Sequence, residues 1–156
     1  MKKRTQSSTN ECSKRSECPI ACTLDLIGDK WTLLVVRDFL FLGKRLYSEL
    51  IQGPESIPSN ILADRLKRLE EAGLLEKHPY QQNPVRYEYR LTAKGSDLYP
   101  VLIQMIRWGN RHIPGTGTLP KSFFEAAEKQ IAVARKRARQ EDIALTSEKR
   151  GTAKMR

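Results

Sequence analysis

The chain has 156 residues, 39% of them apolar, and carries 28 lysines and arginines against 18 acidic residues for a formal charge of +10. That length allows one domain with a core of its own, while apolar runs of at most four residues exclude a membrane-spanning segment. Three cysteines, all within the first 22 residues, are too few and odd in number for the disulfide framework of a secreted domain. A cytoplasmic, reducing setting without membrane association is expected.

A charge of this sign points to polyanions as partners, but it is unevenly placed. Residues 1–17 hold 5 basic and 2 acidic side chains, residues 18–115 hold 13 and 11, and residues 116–156 hold 10 and 5. The excess sits at the ends of the chain. A nucleic-acid role for the middle must therefore rest on which face its charges occupy. Residues 1–17 lack the periodic apolar residues needed to offset the entropy of ordering, and are expected to form a flexible basic arm.

Pattern begins at Cys18-Pro19, where Ile20, Leu24 and Ile27 recur at helical spacing until Gly28-Asp29 interrupts them. Asp29 suits the N-cap of a second helix from Lys30 to about Leu42, burying Trp31, Leu34, Val35, Phe39 and Leu40, with Gly43 as its stop. Tyr47 to Ile51 reads as a short helical turn closed by Gly53-Pro54. Pro58-Ser59 then opens a strongly periodic helix that ends at Gly73. Leu74 to Pro79 and Val85 to Leu91 read as strands, joined by the polar turn Tyr80-Gln81-Gln82-Asn83-Pro84. A hairpin directly after a helix-turn-helix is a wing.

Thr92 is expected to cap one long helix to about His112, with a stripe of Leu98, Val101, Leu102 and Met105 and another of Tyr99, Ile103 and Ile106. Two stripes need two coverings, and a partner subunit is expected to supply one. Leu98, Tyr99, Leu102, Ile103 and Ile106 are the expected dimer contacts, with coverage by the C-terminal segment of the same chain as the alternative. Ile113 to Gly117 is a linker. Pro120 to Ile143 is amphipathic, with Phe123, Phe124, Ala127, Ile131, Ala134 and Ala138 on one side, and the remaining residues read as a disordered basic tail.

The expected fold is thus mainly α with a small β-hairpin: a winged helix-turn-helix over residues 18–115, between the arm 1–17 and a helical and basic extension 116–156. On a wheel of the helix from Ser59, Leu62, Leu66 and Leu69 form the buried face and Asn60, Asp64 and Lys67 the opposite one, flanked by Ala63 and Arg68. The first half of such a helix enters the major groove, which puts Ser59, Asn60, Ala63, Asp64 and Lys67 within reach of bases. Asparagine can bond adenine twice, lysine can donate to guanine, and aspartate can only accept, as from cytosine N4. An ion pair between Asp64 and Arg68 is the alternative use of that carboxylate. Arg65 and Arg68 are expected to clamp phosphates, and Arg86 with Gln82 and Asn83 at the wing tip to reach along the backbone or into the minor groove.

Residues 18–115 resemble the HxlR-type winged helix-turn-helix regulators, relatives of the MarR regulators. The matching pieces are Cys18-Pro19, Leu26-Ile27-Gly28-Asp29-Lys30-Trp31, Tyr47-Ser48-Glu49-Leu50, the run from Leu62 to Leu74, Tyr87 to Leu91, and Leu91-Thr92-Ala93-Lys94-Gly95, in the family's order. The resemblance implies a homodimer assembled through its N-terminal and long C-terminal helices, binding a double-stranded operator near a promoter as a repressor or activator; no cofactor is expected. The chain departs from it at Pro58, where many relatives have a polar cap, and in the segment after Gly115.

The resemblance also places Cys18 where several relatives carry a redox or electrophile sensor; a helix N-terminus there favours thiolate. A packed structural thiol is the other reading. Cys22 lies one turn further, and Cys12 is either a resolving thiol or without a role. Zinc is not expected, because C-x5-C-x3-C lacks a fourth ligand and no histidine lies within 50 residues. His78 and His112 read as surface or packing residues, and Trp31 and Trp108 as core or as walls of an effector pocket.

The function expected is that of a dimeric, sequence-specific DNA-binding transcription regulator that responds to an oxidant or a small molecule. A winged-helix protein-interaction module without specific DNA binding is the alternative. An RNA-binding protein would need a stacking platform. An enzyme is not expected, since a cysteine nucleophile here lacks a base and the chain has no phosphate-binding glycine loop.

Overall fold

The computed structural model describes residues 17–133 and 136. The expected flexible arm, apart from Glu17, and the expected basic tail lie outside them, as do Ala134 and Ala138. Helix α1 (Pro19–Ile27) starts at a proline, whose missing N–H has no intrahelical partner to lose there, and stops at Gly28, whose N–H bonds the Leu24 carbonyl at 2.8 Å. Only Ile27 is buried, and Ile20 and Leu24 stand exposed.

Helix α2 (Thr32–Phe41) begins two residues later than expected. Asp29 accepts the backbone N–H groups of Trp31 and Thr32 at 3.0 and 3.1 Å, and the Thr32 hydroxyl besides, so Lys30-Trp31 form the turn that the carboxylate closes. Val35 and Val36 are buried, whereas Trp31, Leu34, Phe39 and Leu40 are half-buried. Asp38 is buried as well, which periodicity did not foresee. It is tolerated because Arg37 and Lys44 each place a nitrogen 2.6 Å from its carboxylate.

Helix α3 (Tyr47–Leu50) is the expected short turn, capped by Glu49, which accepts the N–H groups of Arg45 and Leu46 at 2.8 and 2.9 Å. Those two donors hold the Glu49 carboxyl below its ordinary value. Helix α4 (Ser59–Glu71) follows as expected, with Pro58 at the N-cap. Its Leu62, Leu66 and Leu69 are buried, and it packs on α2 and on the first strand. Each such leucine is worth about 1.5–3 kcal/mol in transfer from water, so burial of this stripe fixes which face of α4 turns outward.

Strands β1 (Leu75–Gln82) and β2 (Val85–Leu91) pair antiparallel from Leu75 opposite Leu91 to Gln82 opposite Val85. β1 runs three residues past the expected Pro79, and the turn shrinks to Asn83-Pro84. Gln81 and Gln82 carry no apolar signal, yet their backbones pair with Arg86 and Val85 across an irregularity between Pro79 and Gln81. Tyr89 N–H bonds the Arg45 carbonyl at 2.8 Å and Leu46 bridges to Glu88, which ties the entry to α3 to the wing.

The single long helix expected after Thr92 is two helices, α5 (Ala93–Ser96) and α6 (Tyr99–His112). The cause is Pro100. In a continuous helix its ring would strike the Ser96 carbonyl and leave that carbonyl unbonded, whereas one position into a new helix it loses nothing. The chain divides at this point into two units, one ending at Ser96 and one beginning at Asp97. In the second unit residues 121–133 are helical, with Ala127 and Ile131 buried and Phe123 and Phe124 half-buried, the sided pattern expected. Arg107 of α6 pairs with Glu128 at 2.6 Å and lies over the Phe124 ring, so the extension docks on α6. Among the described residues no helix is long and apolar enough to cross a membrane.

Candidate nucleic-acid interface

Burial of the leucine stripe leaves Ser59, Asn60, Ala63, Asp64, Lys67 and Arg68 exposed along α4, the face expected to meet bases. Lys67 is 73% exposed with Glu71 at 3.8 Å, a loose surface pair that leaves the ammonium available. Tyr47 Oη donates to the Ser59 carbonyl at 2.9 Å and thereby fastens α3 to the first turn of α4. Arg37, bonded to Glu55, joins α2 to the connection between them. Glu55 is the main cause of the raised Arg37 pKa, and Arg37 in turn holds Glu55 low.

The C-terminal end of α4 is held by the run Leu91 to Gly95. Thr92 Oγ1 donates to the Gly73 carbonyl and Lys94 Nζ to the Ala72 carbonyl, both at 2.8 Å, and Thr92 N–H bonds the Leu74 carbonyl at 3.1 Å. Ala72 is the C-cap of α4 and Gly73 and Leu74 follow it, so the three bonds hold the backbone on which the chain leaves the helix. Thr92 also caps α5, accepting the Gly95 N–H at 3.1 Å. The cap was legible in the sequence. The grip on α4 was not, because it depends on two segments about 20 residues apart meeting.

Arg65 does not occupy the expected place. Its side chain is 15% exposed and lies between Asp29, 3.0 Å from Nε, and Asp64, 2.8 Å from Nη1, so it is not presented as a phosphate clamp. Asp64 does make the alternative pair, with Arg68 at 3.8 Å. On the wing Gln82, Asn83 and Arg86 are exposed, and Gln81 Nε2 donates to the Asn83 carbonyl at 3.0 Å. Lys77 sits 4.2 Å from the Tyr87 ring centroid, and His78 lies 3.2 Å from Glu76, a partner that was not visible in the sequence.

Of the residues expected to meet a partner subunit, Leu102 and Ile103 are buried within the single chain, and surface already covered cannot also face a partner. Leu98, Tyr99 and Ile106 are half-buried. The stripe that α6 leaves open is Val101, Met105 and Trp108, with His112 against the Trp108 ring. The spacing i, i+4, i+7 carries this signal in the sequence, but a tryptophan at helical spacing reads equally as core or pocket wall. Cys18 is an exposed thiol at the N-cap of α1, and Cys22 is disulfide-bonded.

The profile of the HxlR-like helix-turn-helix family matches residues 26–116. A protein of Mycobacterium tuberculosis described as an uncharacterized HTH-type transcriptional regulator is 40% identical over 91 residues, 58% of this chain and 56% of that protein. The match therefore spans little more than half that relative's length. Among solved structures, PA1607, described as a candidate transcription factor, superposes with a TM-score of 0.59 at 37% identity over 68% of this chain and 74% of its own. The redox regulator HypR in its oxidized form superposes with a TM-score of 0.53 at 35% identity over 61% of this chain and 97% of its own.

Proposed function

The chain belongs to the HxlR-like helix-turn-helix family, and from that premise we propose that it is a homodimeric transcription regulator that binds a specific double-stranded operator. The observation that carries the reading is α4 itself, whose leucine face is sealed while Asn60, Ala63, Asp64 and Lys67 project from the other side. Two ends of the helix are clamped, one by Tyr47 and one by Thr92 and Lys94. A rigid helix that presents mixed donors and acceptors suits base reading, and the wing adds Gln82, Asn83 and Arg86 for the backbone.

Dimerisation accounts for apolar surface that a lone chain leaves wet: Ile20 and Leu24 on α1, and Val101, Met105 and Trp108 on α6. Footprinting tests the pair of claims together. The wild type should protect two half-sites one helical turn apart, roughly 34–36 Å. The double variant Met105→Glu, Trp108→Glu should sediment as a monomer and bind operator about a hundredfold more weakly, as one half-site replaces two. A persisting dimer would place the interface elsewhere.

Regulation by oxidants is proposed through Cys18, supported by its exposure at the start of α1 and by the similarity to HypR. Diamide should change operator affinity at least tenfold in the wild type and leave Cys18→Ser unaffected. Equal responses of the two proteins would remove Cys18 as the sensor, and no response in either would favour a small-molecule effector.

A further inference from the structure

Asp29, in the turn between α1 and α2, and Arg65, on α4, are 36 positions apart in the sequence and in contact in the fold. Arg65 Nε is sealed from solvent 3.0 Å from Asp29 Oδ1, an ion-pair contact without the alignment of a hydrogen bond. Arg65 Nη1 donates to Asp64 Oδ2 at 2.8 Å, and that oxygen lies 3.8 Å from Arg68 Nε. Exposure rises along the series, from 15% of the Arg65 side chain to 53% of Asp64 and 62% of Arg68. A guanidinium held between two carboxylates has its charge already balanced and adds little to the field a phosphate meets.

Asp29 is itself immobilised. Its carboxylate accepts two backbone N–H groups and the Thr32 hydroxyl, so it cannot swing to follow Arg65. Burial works against its ionised form, but the Thr32 hydroxyl, the N–H groups of Trp31 and Thr32 and the charge of Arg65 outweigh burial and hold its pKa below the ordinary value. The anchor is therefore both fixed in place and charged at neutral pH.

We infer that Arg65 is a positioning residue and not a phosphate ligand: through Asp29 it sets the rotation of α4 about its own axis, and through Asp64 it fixes a carboxylate acceptor on the face that meets the bases. This rests on the reading of α4 as the recognition helix. A carboxylate free to turn away discriminates little. One held in place rewards a donor such as cytosine N4 and repels base edges that offer only acceptors. The pair also joins the turn after α1 directly to the reading surface, so the operator preference depends on a residue that does not touch DNA.

The test uses the full chain, its operator fragment and a scrambled fragment. Asp29→Asn keeps the two backbone bonds at the start of α2, since an amide oxygen accepts the same N–H groups, and removes the charge facing Arg65 together with the acceptor for the Thr32 hydroxyl, which is free to rotate and accept from the new amide. Arg65→Lys keeps the charge but loses the planar fork that spans two carboxylates. Each is expected to lower the ratio of operator to scrambled affinity about tenfold, with scrambled binding and the salt dependence as in the wild type. An indifferent Asp29→Asn, together with an Arg65→Gln that weakens both fragments equally and reduces the slope of log K against log salt by about 1, would overturn the inference and restore a phosphate clamp. In the free protein the unfolding effects of Asp29→Asn and Arg65→Gln should be non-additive in the double variant, and additivity would overturn the pairing with no reference to DNA. A wild type that prefers no fragment defeats the recognition-helix reading and, with it, the role given to Asp64, a failure distinct from additivity in the free protein.

Discussion

Gly95→Ala is expected to destabilise the protein by about 3 kcal/mol, the upper end of what overpacking costs, and to lower its thermal midpoint by roughly 10 °C. A Cβ at this position would lie 2.1 Å from the Leu74 carbonyl oxygen and 2.8 Å from Leu91 Cδ2. The flexible leucine end can shift, but the carbonyl cannot. It belongs to the backbone leaving α4, already bonded to the Thr92 N–H, and its neighbours Ala72 and Gly73 are held by Lys94 and Thr92. Relief of the clash must pull α5 away from the end of α4. Thermal unfolding followed by circular dichroism checks this, with Gly109→Ala in α6 as the control, since nothing lies within 4 Å of a Cβ there. The control should hold or gain stability, as alanine outranks glycine inside a helix by about 0.5–1 kcal/mol. A Gly95→Ala protein that melts with the wild type would mean that α5 does not approach α4 so closely.

Asn60→Ala and Lys67→Ala should each weaken operator binding by about 10- to 100-fold, corresponding to the roughly 1–3 kcal/mol that a specific side-chain contact to a base contributes. Neither should unfold the protein. Both side chains are exposed, and Lys67 makes only a long pair with Glu71, of the kind worth about 0.2–0.5 kcal/mol on a helix surface. The loss must therefore appear in binding and in the preference for operator over scrambled DNA. Fluorescence anisotropy on both fragments separates the cases: an equal, small loss on each would make Lys67 a backbone contact, and no loss from either variant would move base reading off this face of α4.

The sequence carried the outline of the first unit because its signals are local. The leucine stripe of α4, the proline and glycine stops, the turn that Asp29 closes and the alternation along β2 each lie within a short run of sequence. What escaped were consequences of distance and of single residues. Pro100 breaks the expected long helix through one steric clash that periodicity outvoted. Gln81 and Gln82 extend β1 because backbone pairing needs no apolar side chain. Arg65 read as a clamp on a helical wheel because a wheel shows which face a residue occupies, not that Asp29 waits beside that face. The same limit applies to Leu102 and Ile103. Their two stripes were legible, but which side of α6 the chain itself covers is a tertiary fact, and it left Val101, Met105 and Trp108 as the open surface.

The central claim, that α4 reads sequence, is tested most directly by titrating the full chain onto the DNA upstream of its own gene and onto a scrambled copy, at about 150 mM salt, where nonspecific binding is weak. The account predicts at least a hundredfold preference for the upstream fragment. Equal affinity for the two, falling together as salt rises, would contradict it and leave a basic winged helix that holds nucleic acid without reading it.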